Sequence, residues 1–285
     1  DTKVVVAMSG GVDSSVAAVM LKKQGYDVIG ITLRLYNNSN LSKNKSCCAG
    51  IDIDDARNVA IKHDFKHIIL DYQDRFFDGV INNFVESYSN GETPLPCVKC
   101  NQTVKFTDLL SESKKIGADA LATGHYAIRK GSLENASLHK AIDYSKDQSF
   151  FLFATLQEQL NYVRFPLGDY KKSEIRQLAQ KYKLDVSDKP DSQDICFVTS
   201  DSYRDLVKNL NPSAIKKGVI YDYDNNILGT HDGISNFTIG QRKGIGVSGS
   251  KEALYVIKIN KNQNSIILGT KEKLKKSVIN FKNIN

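Results

Sequence analysis

Short apolar segments alternate with helical patterns through the first half of the chain. The apolar segments are rich in β-branched residues and predict strands, at Val4–Met8, Val28–Leu33, Ile68–Leu70 and Ala118–Thr123. Patterns typical of helices occur between and after them, at Ser14–Gln24, Asp54–His63, Phe76–Tyr88 and Thr103–Lys115. Such alternation is typical of a parallel sheet with helices on both faces. This half is therefore predicted to be an α/β fold whose ligand crevice opens at the carboxyl ends of the strands.

The pattern changes in the second half. An amphipathic helix is predicted at Asp169–Tyr182, and beyond about residue 215 short β-like runs alternate with turns. The predicted runs lie at Val219–Tyr223, Ile227–Thr230, Phe237–Ile239, Tyr255–Ile259 and Ile266–Leu268. They indicate a small β-rich region distinct from the α/β part. These strands are too few to close a barrel, so we expect the sequence to be incomplete at its C-terminal end.

Composition and charge narrow the class of protein. A chain of 285 residues suggests about two domains, and 39 Lys and Arg against 32 Asp and Glu give a formal net charge of +7. This modest basic excess suits a polyanionic partner, but lysine-rich proteins also reach it without binding nucleic acid. No apolar run approaches the roughly 20 residues of a membrane-spanning helix, and the start of the chain shows no signal or transit pattern. We therefore expect a cytoplasmic protein that does not enter a membrane.

The segment Ser9-Gly-Gly-Val-Asp-Ser-Ser15 lies between the first predicted strand and the first predicted helix. Gly10 and Gly11 leave the backbone N–H groups open to a phosphate, and the positive end of the helix favours negative charge there. No lysine follows the glycines, so this is not the loop that grips β- and γ-phosphates through GxxxxGK[ST]. Asp13 in that place suits Mg²⁺ that bridges to a pyrophosphate. The alternative is a plain serine-glycine turn between two core elements.

Five cysteines, at positions 47, 48, 97, 100 and 196, make an odd count that argues against a disulfide framework and for reactive thiols or a metal site. Cys97 and Cys100 form a CxxC pair in the loop before a predicted helix, where a helix N-terminus would lower the thiol pKa values. A structural zinc site is the alternative, although there is no second CxxC. Cys196 lies in Asp191-Ser-Gln-Asp-Ile-Cys-Phe197 and, taken alone, is more typical of a buried small apolar residue.

Two further segments carry polar groups. Ala122-Thr-Gly-His-Tyr126 follows a predicted strand, and Lys146-Asp-Gln-Ser-Phe-Phe-Leu152 opens a predicted helix. Taken alone, His125 is typical of a core histidine bonded to the backbone, and Lys146 with Asp147 of a solvated helix start. These two segments indicate function only in combination with the SGGVDSS loop and the cysteines.

Together and in this order, these motifs resemble the tRNA-specific 2-thiouridylase family. The resemblance extends from Val4 to about Leu268. It also includes a CCAGxDxxDA segment at Cys47–Ala56 and the segment Phe237-Thr-Ile-Gly-Gln-Arg-Lys-Gly244. The SGGVDSS loop alone is shared with other ATP pyrophosphatases, among them GMP, NAD and argininosuccinate synthetases. The later segments are what single out the thiouridylases.

The resemblance implies a fold and an activity. Residues 1–200 would form an N-type ATP pyrophosphatase domain, a Rossmann-like parallel-sheet domain of the adenine nucleotide alpha hydrolase type. Residues 201–246 would form a small central tRNA-binding adaptor domain, and residues 247–285 the start of an incomplete C-terminal β-barrel. The implied activity is ATP-dependent 2-thiolation of the wobble uridine of tRNA, by adenylation of its C2 oxygen and transfer of sulfur from a cysteine persulfide.

The resemblance also implies roles for individual residues. ATP and Mg²⁺ would be used, with Asp13 near the Mg²⁺; Cys100 matches the nucleophile position, and Cys196 matches the cysteine that carries the persulfide. The positions implied to bind ATP are Ala7, Met8, Ser9, Gly10, Gly11, Val12, Asp13, Ser14, Leu33 and Gly124. The positions implied to bind tRNA are Leu95, Pro96, Cys97, His125, Lys146, Asp147 and Gln148. A sulfur-donor protein, either a cysteine desulfurase or a sulfur-relay carrier, is the implied second partner.

Many members of the family carry aspartate where this chain has Cys97, which leaves the acid–base role of that position open here. Either Cys97 acts as a resolving thiol for Cys100, or Cys97, Cys100 and Cys196 ligate a [4Fe–4S] cluster whose fourth iron binds sulfide. We favour the persulfide route. The alternative functions are a PP-loop synthetase that adenylates a small molecule, in which the cysteines have no task, and a non-catalytic tRNA- or cluster-binding protein.

Overall fold

A computed structural model describes residues 2–36, 49–191, 194–198, 202–249 and 252–281 of the chain. Cys47, Cys48, Ser192 and Gln193, which belong to two of the motifs above, lie outside the described residues. The chain forms two compact units. The first unit comprises Asp1–Gly79 and Cys97–Thr199, and the second comprises Val80–Pro96 and Ser200–Ile284.

The first unit is built on a five-stranded parallel sheet. Its strands are β1 (Lys3–Ala7), β2 (Asp27–Arg34), β3 (Lys66–Asp71), β4 (Ala120–Thr123) and β7 (Val163–Arg164), in the order β3-β2-β1-β4-β7. A two-stranded hairpin of β5 (Ala127–Gly131) and β6 (Ala136–Lys140) follows β4. The α/β fold predicted for this half, with its strands at the predicted positions, is confirmed.

The helices in chain order are α1 (Val12–Lys23), α2 (Ala49–Lys62), α3 (Gln73–Phe76), α4 (Asn82–Ser89), α5 (Pro96–Cys100), α6 (Leu110–Lys115), α7 (Gln157–Tyr162), α8 (Lys172–Lys181) and α9 (Tyr203–Leu210). Two segments are π-helical, Phe77–Ile81 between α3 and α4 and Asn101–Leu109 between α5 and α6. In the parts of the chain that the structure describes, no helix has the length and apolar content to cross a membrane.

Alternation along β1 explains the two-faced packing. Val4 and Val6 belong to a buried cluster that includes apolar residues of α1, α2 and α8. Val5 points to the opposite face, where it packs in a cluster with Phe106 of the second π-helical segment and Leu160 of α7. Successive strand residues face opposite sides of a sheet, so a continuous apolar run requires helices on both faces.

The second unit contains a four-stranded sheet of β8 (Gly218–Tyr221), β9 (Ile227–His231), β10 (Tyr255–Asn260) and β11 (Ser265–Gly269), in the order β10-β11-β8-β9. The boundary predicted between residues 246 and 247 falls inside this sheet, and the three-domain division stays a prediction. The strand predicted at Phe237–Ile239 is wrong. Phe237 follows a 3₁₀ turn and buries its ring among the core residues of the sheet, and Gly240 at φ +86° then turns the chain.

Candidate active site

The SGGVDSS loop joins β1 to α1, as predicted. Gly10 has φ +74°, a conformation that only glycine adopts without strain, and a Cβ there would lie 2.1 Å from the backbone oxygen of Asp52. The Ser14 hydroxyl accepts a hydrogen bond from the Ser9 backbone N–H at 3.1 Å, which closes the loop over the first turn of α1. The loop is thus shaped by its own backbone, with its N–H groups at a helix N-terminus.

The residues predicted to bind ATP gather at one edge of the sheet. Ala7 and Met8 end β1, and Leu33 lies near the end of the neighbouring strand β2. Gly124 follows β4 on the other side of β1, and a Cβ on it would lie 2.8 Å from the backbone nitrogen of Ser14. Only a glycine allows the end of β4 to approach the loop this closely. The structure therefore brings these positions together, while their contact with ATP stays a prediction.

Lys172, from the first turn of α8, lies directly on the loop. Its Nζ donates to both carboxylate oxygens of Asp13, at 2.7 and 2.8 Å, and lies 2.9 Å from Oδ1 of Asp191. The Lys172 side chain is 11% exposed, which makes this a largely enclosed ammonium shared by two carboxylates. Tyr126 donates its hydroxyl to Asp13 Oδ1 at 2.8 Å. The loop has no lysine of its own, but the fold places Lys172 of α8 against it.

Asp191 forms ion pairs with three cationic side chains of this network. Besides Lys172, it accepts from Lys146 Nζ at 2.8 Å and from the Arg176 guanidinium at 3.0 Å. Burial would raise the pKa of the Asp191 carboxyl, but the hydrogen bonds from Lys146 and Lys172 outweigh it and lower the pKa to about 2. Burial and the nearby charge of Asp13 raise the pKa of Tyr126 far above its usual value, so its hydroxyl stays a donor.

A second lysine, Lys189, also contacts the loop. Lys189 Nζ donates to the backbone oxygen of Gly10 at 3.1 Å and to the carboxylate of Asp55 at 2.8 Å, and it also pairs with Asp52. Burial opposes the charge of Lys189, but the hydrogen bonds to the two aspartates raise its pKa. It therefore ties α2 to the glycine turn as a permanent cation.

The CxxC pair does not lie where the sequence placed it. Cys97 and Cys100 are within α5 itself, with Cys97 exposed and Cys100 buried as its last residue. Burial raises the pKa of the Cys100 thiol, Lys105 lowers it by a smaller amount, and Cys97 raises it. The expectation of a lowered pKa is therefore wrong for Cys100, because enclosure of the thiol outweighs the helix-end charge.

Cys196 is brought to this pair from 96 positions further along the chain. The residue has exposed surface, but the protein packed around its thiol raises the pKa to about 12, with further increases from Cys100 and Cys97. The three thiols lie in the same unit, and two of them raise the pKa of the third. The structure thus gathers Cys97, Cys100 and Cys196, and their catalytic roles stay a prediction.

The residues present fit Mg²⁺ better than they fit an iron–sulfur cluster. Among the described residues, no three His, Cys, Asp or Glu side chains are arranged to hold a metal ion, so the three thiols do not offer a ready ligand set for an iron–sulfur cluster. Mg²⁺ with a nucleotide needs only one or two protein carboxylates, because phosphates supply other ligands. Asp13, with a side chain that is 32% exposed, fits that smaller requirement.

Four side chains of the first unit that are predicted to bind tRNA have partners inside the protein, whereas Cys97 is exposed. Lys146 is paired with Asp191, Asp147 accepts from the Ala141 backbone N–H at 2.8 Å, and Gln148 accepts from the Tyr126 backbone N–H at 2.9 Å. His125 is part-buried, with Nδ1 2.8 Å from the Thr123 hydroxyl. Burial lowers the pKa of His125 well below its usual value, so it is neutral. Leu95, in the second unit, is exposed, whereas Pro96 is buried.

Comparison with known proteins gives the family. The model of the tRNA methyl transferase HUP domain matches residues 2–200, and that of the tRNA methyl transferase PRC-barrel domain matches residues 204–270. The tRNA-specific 2-thiouridylase MnmA of Orientia tsutsugamushi is 53% identical over 283 residues, which cover 99% of this chain and 76% of that protein. The protein of that name from Bradyrhizobium sp. (strain ORS 278) is 51% identical, over 100% of this chain and 72% of that protein. The chain belongs to the tRNA-specific 2-thiouridylase family.

This family membership confirms the resemblance drawn from the motifs. Among solved structures, NMN synthetase from Francisella tularensis aligns with 74% of this chain and 77% of that chain at 14% identity and a TM-score of 0.42. Sequence reasoning did not point to Lys172 or Lys189, and it gave no role to Tyr126, although Tyr126 ends the recognised motif Ala122–Tyr126. Lys172 lies 159 positions from Asp13, so no local pattern could have joined them. Asp191 was inside a recognised motif, but its charge partners were not foreseen.

Alanine at Gly10 is expected to disrupt the loop of this thiouridylase. The positive φ costs a side chain about 1–2 kcal/mol, and a Cβ 2.1 Å from a backbone oxygen forces the loop or α2 to move. We expect Gly10→Ala to lower the free energy of unfolding by more than about 2 kcal/mol and to abolish ATP binding, as measured by urea denaturation and calorimetry.

Gly11→Ala is the matched control for stability, because Gly11 has no positive φ and the nearest neighbour of its Cβ would be the Ser9 hydroxyl at 3.5 Å. Equal losses of unfolding free energy in the two variants would contradict the role given to the Gly10 backbone.

Proposed function

We propose that this chain catalyses the ATP-dependent 2-thiolation of the wobble uridine of tRNA in the cytoplasm, with sulfur delivered through a persulfide on Cys196. One observation carries the proposal. A single segment, Asp191–Phe197, supplies Asp191 to the ion-pair network of the nucleotide loop and Cys196 to the group of thiols. An activating site and a sulfur site therefore share one stretch of chain. A family whose members are named tRNA-specific 2-thiouridylases supports the same reading.

The first step activates the uridine. The C2 oxygen is a poor leaving group, so its attack on the α-phosphorus of ATP, with departure of pyrophosphate, converts it into an adenylate that can leave as AMP. The backbone N–H groups of the Ser9–Ser14 loop would hold the departing phosphates, and Lys172 would add a cation to them. Bound Mg²⁺ would supply further charge neutralisation, and Asp13 would hold it by exchanging its contact with Lys172 for the ion.

The second step replaces oxygen by sulfur. The Cys100 thiolate attacks Sγ of the Cys196 persulfide, which forms a Cys100–Cys196 disulfide and releases the outer sulfur as hydrosulfide. Hydrosulfide adds to C2 of the adenylated uridine, and AMP leaves with the original oxygen. The disulfide then needs two electrons from a reductant, and the persulfide is renewed by a sulfur-donor protein. The target base must leave the anticodon stack to reach these groups.

The proposal is tested by ATP-dependent incorporation of sulfur into unmodified tRNA. The purified protein, tRNA, ATP, Mg²⁺ and a persulfide donor are combined, and thiolated RNA is read by its retardation in a gel that binds sulfur. We expect retarded RNA only with ATP, and none with a tRNA whose wobble base is cytidine. Pyrophosphate release that needs a small acceptor and no tRNA would favour a synthetase. Activity that strictly follows bound iron in anaerobic preparations would overturn the persulfide route.

A further inference from the structure

Arg176 lies on the face of α8 that also carries Lys172. The two residues are four positions apart, so they project from the same side of the helix, and both contact Asp191. Another face of α8 is fixed, because Ile175 and Ala179 are fully buried in a core cluster that includes residues of α1. Arg176 therefore extends from a helix that is packed on the core of the first unit.

The guanidinium of Arg176 binds three acceptors on one short segment. Nη1 donates to the backbone oxygens of Ser187 and Lys189, at 3.0 and 3.3 Å. Nη2 donates to the backbone oxygen of Lys189 at 3.3 Å and to Oδ1 of Asp191 at 3.0 Å. Residues 187–191 belong to no helix or strand, so these bonds satisfy backbone oxygens that no regular ladder binds. Arg176 thus forms a clamp across residues 187–191, which we call the clamped segment.

The clamped segment carries two side chains of the ion-pair network around the nucleotide loop. Lys189 donates to the backbone oxygen of Gly10 at 3.1 Å, and Asp191 lies 2.9 Å from Nζ of Lys172. Both contacts depend on where the backbone of the clamped segment lies. Because Arg176 binds that backbone at two oxygens, it sets the position of this stretch of chain at the loop.

Cys196 follows the clamped segment, five positions after Asp191. The next residue, Phe197, is only 2% exposed, and its ring packs edge-on against that of Phe76 with centroids 5.7 Å apart. The chain is therefore held before Cys196 by the clamp and directly after it by a buried ring. A displacement of the clamped segment would be passed on to the thiol across these few residues.

We propose that Arg176 is a positioning residue of the sulfur-transfer step, which holds residues 187–191 at the nucleotide loop and so sets the place of Cys196. The proposal rests on the proposed function. The guanidinium takes no part in the bond changes, since the Cys100 thiolate still attacks the Cys196 persulfide and AMP still leaves as described above. Its effect is on geometry, because a displacement of about 1 Å at a reacting atom can cost about 100-fold in rate.

A single-turnover reaction of the full chain separates activation from sulfur transfer. Protein loaded with persulfide is mixed with tRNA, ATP and Mg²⁺, and pyrophosphate and thiolated RNA are followed in the same sample. In Arg176→Gln we expect the rate of sulfur incorporation to fall about 10- to 100-fold. Pyrophosphate formation should change by less than about threefold, because Asp191 keeps Lys146 and Lys172. An equal fall in both rates would contradict the proposal, since it would indicate a general loss of the nucleotide site.

Two further variants separate the shape of the guanidinium from its charge. Arg176→Lys keeps a cation beside Asp191, but one ammonium cannot span the two backbone oxygens and the carboxylate, so sulfur transfer should stay slow. Lys181→Gln is the matched control, because Lys181 is an exposed cation of the same helix that forms no ion pair with any described residue. A wild-type rate of sulfur transfer in Arg176→Lys would rule out the clamp.

Hydrogen–deuterium exchange of the clamped segment gives a second measurement, which needs neither ATP nor tRNA. The backbone N–H groups of Ser187 and Lys189 each donate within this turn of the chain, and they should exchange about tenfold faster in both Arg176 variants but not in the control. Unchanged exchange in Arg176→Gln would overturn the proposal. If the wild-type protein failed to thiolate tRNA, the proposed function would fall, whereas the exchange would still decide whether Arg176 holds the segment.

Discussion

Replacement of Lys172 by methionine is expected to remove ATP-dependent activation almost completely. The side chain would no longer hold Asp13 at 2.7 Å or Asp191 at 2.9 Å, and two partly enclosed carboxylates would face each other without their shared cation. We expect kcat/KM for tRNA-dependent pyrophosphate release to fall about 100- to 1,000-fold, as when one preorganised charge is removed from a transition state. The free energy of unfolding should fall by about 2 kcal/mol, since solvent reaches the aspartates and softens the loss.

Lys171→Met gives the matched control for this variant. Lys171 precedes Lys172 and is exposed, and in the described residues its side chain contacts no carboxylate. Calorimetric binding of ATP and a pyrophosphate-release assay, made on both variants, separate loss of the nucleotide site from loss of fold. If Lys172→Met bound ATP and released pyrophosphate like Lys171→Met, the ammonium would have no part in activation.

Serine at Cys196 or at Cys100 is expected to abolish thiolation while activation continues. A hydroxyl cannot carry the sulfane sulfur at Cys196, and it is a poor nucleophile toward a persulfide at Cys100. We expect thiolated tRNA to fall by at least about 1,000-fold in each variant, whereas pyrophosphate release with tRNA continues. The two products are measured in the same reaction, by gel retardation and by a coupled pyrophosphate assay. Full thiolation by Cys196→Ser would contradict the persulfide route.

Cys97→Ser is the control in this series, and it also decides the role of Cys97. Cys97 is exposed, unlike the buried Cys100. If Cys97 has no chemical role, Cys97→Ser completes both a single round of sulfur transfer and repeated turnover at the normal rate. If it resolves the disulfide, the single round is normal and turnover slows. Burial raises the pKa of both Cys100 and Cys196, so the reactivity of each of these thiols should rise with pH in every variant that retains it.

The first half of the fold could be predicted because its signals are local. The run Val4–Met8, the glycines at 10 and 11 and the helix after them all act within a few residues of one another, and the structure has them as predicted. The hairpin of β5 and β6 was missed, because its strands are short and largely polar on their open face. The segment Phe237–Ile239 was predicted to be a strand because it is a short β-like run, but one buried ring after a turn gives the same pattern.

The site could be predicted only as far as motifs extend. The positions of Asp13, Cys100 and Cys196 follow from short segments, whereas Lys172 reaches Asp13 across 159 positions of chain. The ionisation of Cys100 depends on how much protein surrounds it, which a CxxC spacing does not record. The π-helical winding after Cys100 was not predicted either, since no residue in Asn101–Leu109 marks it in the sequence.

The state of the four side chains at Lys146, Asp147, Gln148 and His125 has a consequence for the binding of RNA in salt. Lys146 is matched by Asp191, Asp147 is negative, Gln148 carries no charge, and His125 is held neutral. A surface with so little net charge displaces few of the counterions condensed on a phosphate backbone, so it contributes little to the fall of affinity with rising ionic strength. A steep salt dependence of tRNA binding would therefore report on other parts of a chain with a net charge of +7 rather than on these four predicted contacts.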